Sequence, residues 1–118
     1  MSNRNEYVEA CKEVVERVLV PGQTLVQYVR SKKGQARGVV VAFRNPRSGE
    51  VSIGWSLCNT KAEKFDKTIG LNKAIARSTP LTYWTSMTGT SETENVPHTV
   101  QNVYNRVGER ARKFFKVN

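Results

Sequence analysis

The chain has 118 residues, room for one domain with a single core and too few for two comfortable ones. Its apolar fraction of 38% is low, but the apolar residues fall into periodic segments, which sets the chain apart from a disordered one. Nineteen Lys and Arg stand against ten Asp and Glu, a net +9 that favours polyanionic partners: nucleic acid first, an acidic protein surface second. The excess is uneven. Residues 1–21 hold three of the basic residues (Arg4, Lys12, Arg17) and four of the acidic ones (Glu6, Glu9, Glu13, Glu16), leaving sixteen cations against six carboxylates in residues 22–118.

In chain order, Tyr7, Val8, Cys11, Val14, Val15 and Val18 recur at helical spacing and predict an amphipathic helix over Glu6–Leu19. Asn5 is placed to cap it, and Pro21-Gly22 stops it. Cys11 lies on its apolar stripe as a small hydrophobe, and the acidic outer face reads as scaffold or as a dock for something basic. Thr24–Arg30 is a β-type run. The loop after it gathers Arg30, Lys32, Lys33 and Arg37 at one hairpin tip, either to keep an edge strand soluble or to contact phosphates.

Val39–Phe43 is an unbroken apolar run, suited to a central strand covered on both faces. In Asn45-Pro46-Arg47-Ser48-Gly49, Pro46 presets φ and Gly49 can take a left-handed position, which predicts a hairpin turn. Val51, Ile53, Trp55 and Leu57 then alternate with Ser52, Gly54 and Ser56, so one strand face is bulky and the other nearly flat. A second helix begins near Asp66, read as its N-cap. Its narrow stripe of Leu71, Ala74, Ile75 and Ser78 suits that flat face, while Lys73 and Arg77 share its outer face. Lys61, Lys64 and Lys67 cluster at its start, where cations oppose the helix dipole and so point to a ligand.

Residues 79–95 read as a loop or arm: Thr79–Thr93 is rich in Ser and Thr yet carries Leu81, Tyr83, Trp84 and Met87, enough for a short fourth strand or an arm over the core, with the arm preferred. A long C-terminal helix follows over Asn95–Val117, with Pro97 at its first position. Val100, Val103, Tyr104, Val107, Ala111 and Phe114 form its core stripe, Gly108 marks a close contact, and Arg106, Arg110 and Lys113 line another face.

The catalytic repertoire is thin. The single histidine, His98, sits at a helix start, and a Cys58–His98 pair lacks a third group to orient it. Glu50, Glu63 and Asp66 match no metal-site spacing, zinc ligands are too few, and neither a Walker loop nor G-x-G-x-x-G occurs. No catalytic residue, metal or cofactor is therefore expected. Trp55, Tyr83 and Trp84 would offer stacking surfaces where exposed, although Trp55 shares a strand face with Val51, Ile53 and Leu57 and reads as core. The absence of a signal-peptide core and of an apolar run near eighteen residues leads to the expectation of a soluble cytoplasmic protein that leaves membranes alone. Reduced thiols are expected at Cys11 and Cys58, with a bridge between them neither required nor forbidden.

The order helix, three strands, helix over residues 6–78 resembles the double-stranded RNA-binding domain. In that family a lysine-rich helix start sits over phosphates across the major groove and the first inter-strand loop enters a minor groove. The resemblance assigns Lys61, Lys64 and Lys67 to the first role and Lys32, Lys33 and Gln35 to the second. This loop lacks the family's Gly-Pro-x-His, and the helix lacks its Lys-Lys-x-x-Ala-Lys run. Gly54-Trp55-Ser56-Leu57-Cys58, Lys64-Phe65-Asp66-Lys67, Gly70 and Ala74-Ile75-Ala76-Arg77 also look like a pattern in small basic proteins of tailed phages. That likeness implies an accessory protein acting in the host cytoplasm.

The expectation is thus a single basic α+β domain over 1–118: α-β-β-β-α with a three-stranded antiparallel meander, an extended arm and a long C-terminal helix. Its expected function is non-enzymatic, phosphate-directed binding of RNA or DNA through Arg30, Lys32, Lys33, Arg37, Lys61, Lys64, Lys67, Lys73, Arg77, Arg106, Arg110 and Lys113. The alternatives are an inhibitor or adaptor docking on an acidic host protein, and a small-anion or nucleotide binder at the Lys61–Lys67 helix start.

Overall fold

A computed structural model describes residues 3–58, 64–81, 84–85, 90–91 and 96–116. Helix α1 spans Asn3–Val18, strands β1, β2 and β3 span Thr24–Arg30, Ala36–Arg44 and Val51–Leu57, and helix α2 spans Lys67–Ala76. Short strands β4 (Thr79–Pro80), β5 (Trp84–Thr85) and β6 (Thr90–Ser91) precede helix α3, His98–Phe114. The fold is α+β in the predicted order, with β1-β2-β3-β4 forming one antiparallel sheet and β5 pairing separately with β6.

β2 is the central strand, and both of its faces are sealed. Val39, Val41 and Phe43 pack with Ala74, Leu71 and Ile75 of α2, with Tyr28, and with Val18 and Leu19 at the end of α1. Val40 and Ala42 point the other way, into a larger core with Ile53, Tyr104, Val107, Ala111 and Phe115. An apolar run without alternation is what such a position demands.

β3 makes the two sides differ. Its bulky residues face α3, and Ser52, Gly54 and Ser56 face α2, in register with Phe43, Val41 and Val39. A side chain on Gly54 would run into the Ala74 carbonyl and lie 3.0 Å from Ser78 Cα, so only glycine lets the helix lie this close. Ser56 Oγ donates to the Gly70 carbonyl at 2.8 Å, pinning the helix to the strand. These contacts fix the direction of α2: Gly70 lies by Ser56 and Ala74 by Gly54, so the helix starts at the end of the sheet where β3 finishes.

The β2–β3 turn forms as its residues dictate. Asn45 Oδ1 accepts from Arg47 N at 2.9 Å, and Gly49 has φ of 75°. Arg44 then ties this end of the molecule together. Its Nε donates to Gln23 Oε1 at 3.0 Å, one terminal nitrogen donates to the Gly49 carbonyl at 3.1 Å, and its guanidinium stacks 5.4 Å from the Phe115 ring centroid.

Several expectations shift. The first helix starts at Asn3, so Asn5 lies inside it instead of capping it. The three-stranded meander gains a fourth strand from the segment expected to be an arm: Thr79 and Pro80 pair with Ile53 and Ser52. Leu81 is then drawn fully into the α3 core. Pro80 suits such a place, because an edge strand leaves one side of its backbone without ladder partners. The C-terminal helix runs His98–Phe114 with Pro97 as N-cap, inside the predicted bounds, while Asn95 and Val117 lie outside the described residues. Its core stripe ends on Phe115, and Phe114 is half exposed. Successive i+4 steps turn the buried face gradually around the axis, and Phe114 falls off its edge. Gly108 is buried, neither cysteine forms a disulfide, and Cys11 lies within the interior. Among the described residues no helix is long and apolar enough to cross a membrane.

Candidate functional site

Antiparallel pairing puts the end of β1, the start of β2 and the end of β3 at one end of the sheet. The start of α2 lies over the same end. The hairpin tip and the lysine-rich helix start, some thirty residues apart in sequence, therefore meet. Two contacts join them directly: the Tyr28 and Phe65 rings meet edge to face at 6.3 Å, and Lys67 Nζ sits 5.4 Å from the Tyr28 ring centroid.

The tip is a built turn. Ser31 N donates to the Gln35 carbonyl at 2.9 Å, Gly34 N to the Ser31 carbonyl at 2.9 Å, and Arg30 reaches back to the Gly34 carbonyl at 3.0 Å. Lys32 and Lys33 are left exposed at its apex. Among the described residues, Ser31 Oγ and Arg37 Nε are both buried without a hydrogen-bond partner, an arrangement that costs about 1–3 kcal/mol for each unmet group. Unmet polar atoms thus sit at the end where the cations gather.

At the helix start Asp66 is the N-cap, its Oδ1 accepting from Ile69 N at 3.0 Å. Phe65 precedes the cap and packs against the helix over Gly70, the position of a hydrophobic staple. Asp66 thereby uses part of the anion-attracting capacity of the helix end, so an anionic ligand here would meet the lysine side chains more than free backbone N–H groups. Lys64 and Lys73 border a cleft that Ser56, Cys58, Phe65 and Asp66 also line. Its volume of about 30 Å³ admits a water or a small anion and is too small to enclose a nucleotide.

Of the predicted site residues, Arg30, Lys32, Lys33, Arg37, Lys64, Lys67 and Lys73 are brought to this end, and Lys61 lies outside the described residues. Arg77 does not join them. It closes the far end of α2, exposed like Lys73, with its guanidinium 4.4 Å from the Trp55 ring centroid. Trp55 is half-buried against the α3 core, as its strand neighbours imply, and Tyr83 lies outside the described residues. Arg106, Arg110 and Lys113 are exposed on α3, across the sheet, with the C-terminus of that helix at the opposite end beside Arg44. Cys58 and His98 fall on opposite sides of the sheet, the first in the α2 cleft and the second at the exposed start of α3.

The sequence reading missed Tyr28 and Phe65 as the parts that join the two clusters. Tyr28 was visible only as one aromatic in a β-type run, and Phe65 carried the better signal, standing immediately before an N-cap. Neither a family model, nor a curated protein, nor a solved structure matches this chain.

Proposed function

We propose that the protein binds nucleic acid without catalysis, through the phosphate backbone, at the sheet end shared by the β1–β2 tip and the start of α2. The observation that carries this reading is the meeting of two lysine-bearing segments around Tyr28 and Phe65, with Lys32, Lys33 and Lys64 exposed. Among the described residues, Arg30 donates to a carbonyl and Lys67 sits over a ring, and neither of these groups carries a net charge to cancel the cation. A surface of this kind neutralises phosphates and releases counterions, giving binding that is salt-sensitive and poor in base readout. The likeness to the double-stranded RNA-binding domain agrees in placing the first hairpin loop and the second helix's start as the contact elements, which favours a duplex ligand.

Gel retardation of duplex RNA, duplex DNA and single strands across a salt series tests the reading. Replacing Lys32, Lys33 and Lys64 together with Gln should weaken binding and flatten the log–log salt slope by about 0.9 for each phosphate no longer neutralised. Arg47→Gln, exposed in the turn at the other end, should leave both unchanged. Absence of retardation at low salt overturns the reading and leaves an acidic protein surface as the polyanion.

A further inference from the structure

Across the sheet, α3 carries a second set of cations that the site above cannot use. Val100, Tyr104, Val107 and Ala111 are its buried face, and Arg106, Arg110 and Lys113 stand exposed at i, i+4 and i+7 on the side turned away from them. From Arg106 to Lys113 the helix rises about 10 Å, the axial length of about three phosphates on one duplex strand. Glu109 is the only carboxylate within α3. Cations in the last helical turn answer the dipole, but that accounts for Lys113 and not for Arg106, two turns earlier.

We infer that the α3 face is a second, independent phosphate-binding surface, and that one copy of the chain bridges two nucleic-acid segments, one at the end of the sheet and one along α3. This rests on the binding function proposed above. The first surface lies at the end of the sheet, at the β1–β2 tip and the start of α2, whereas the second lies along α3 toward the opposite end, where Phe115 meets Arg44. A straight duplex laid along α3 toward the Arg44 end runs away from the hairpin tip, whereas two duplexes can occupy the two surfaces at once.

The experiment loads the full chain onto a biotinylated duplex fixed to beads, washes it, and adds a second, fluorescent duplex. Duplex RNA and duplex DNA are run in parallel. The wild-type chain should hold the second duplex. The variant Arg106→Gln, Arg110→Gln, Lys113→Gln should load onto the first duplex nearly as well and hold about tenfold less of the second. Those three side chains are exposed, and an unchanged circular dichroism spectrum and melting temperature confirm that the variant folds. If wild-type chain loads and captures no second duplex, the bridge is refuted while phosphate binding at the α2 end stands. If the variant captures as much as wild type, bridging runs through self-association and the α3 surface is refuted. If no chain loads at all, the binding function fails and the bridge with it.

Discussion

The two faces of the sheet are built on opposite rules. Toward α2, the strand offers Ser52, Gly54 and Ser56, the helix answers with Gly70 and Ala74, and backbone lies almost on backbone. Toward α3, the strand offers Val51, Ile53, Trp55 and Leu57, and the helix answers with Tyr104, Val107 and Phe115. The first arrangement holds a helix at a fixed height with a hydrogen bond and little apolar volume. The second supplies most of the buried volume. The basic end of the molecule belongs to the closely packed side, so the position of its lysines is set by the absence of side chains. One face should therefore fail when atoms are removed, and the other when an atom is added.

Removal has the largest expected effect. Tyr104 is fully buried in the α3 core, and Tyr104→Ala should lower stability by about 3–5 kcal/mol, read from the denaturant midpoint at unchanged m. Addition comes next. Gly54→Ala places a methyl group against the Ala74 carbonyl and should cost about 1–3 kcal/mol. Because the collision is with backbone, adding Ala74→Gly should not restore the loss, and a rescue would show that side-chain volume alone sets the spacing. Gly54→Ala should also weaken nucleic-acid binding at temperatures where the chain is folded, by lifting Lys64, Lys67 and Lys73 away from the hairpin tip. Tyr104→Ala should have no such effect below its own transition.

How far this could be read from sequence follows from the same contrast. The unbroken run of β2, the alternation of β3 and the small-residue stripe of α2 are local patterns with periods of two and of about 3.6, and the structure keeps all three. Even the fit of the α2 stripe on the Ser52-Gly54-Ser56 face was legible, because each surface is described by its own segment. What was not legible depends on where segments go after they end. Thr79–Pro80 became a strand because close packing of α2 delivers the chain beside β3, which two residues of sequence cannot announce. The split of the cations was hidden for the same reason. Lys32 and Lys64 share an end through strand direction, whereas Arg106 and Arg110 were separated from them by α3 taking the other face. Arg44 looked like one more cation and is a structural tie.

The smallest effect isolates the charge of the basic end from its packing. Asp66 does two things: its carboxylate caps α2 through Ile69 N, and it places a negative charge between Lys64 and Lys67. Asn caps a helix about as well as Asp, so Asp66→Asn should change stability by no more than about 0.5 kcal/mol. The same substitution removes an anion from the surface proposed to hold phosphates, so nucleic-acid affinity should rise a few-fold at low salt. Because the same lysines neutralise the same number of phosphates, the salt slope should stay near the wild-type value. Asp66→Ala separates the two roles: it removes the charge as well but loses the cap, at about 1 kcal/mol. If affinity rises equally in both variants, charge alone governs the effect; if it rises only with Asn, the helix start must be held in place for its lysines to reach the ligand. An unchanged affinity with Asn would place the bound phosphates away from the start of α2, leaving the hairpin tip as the contact on this face.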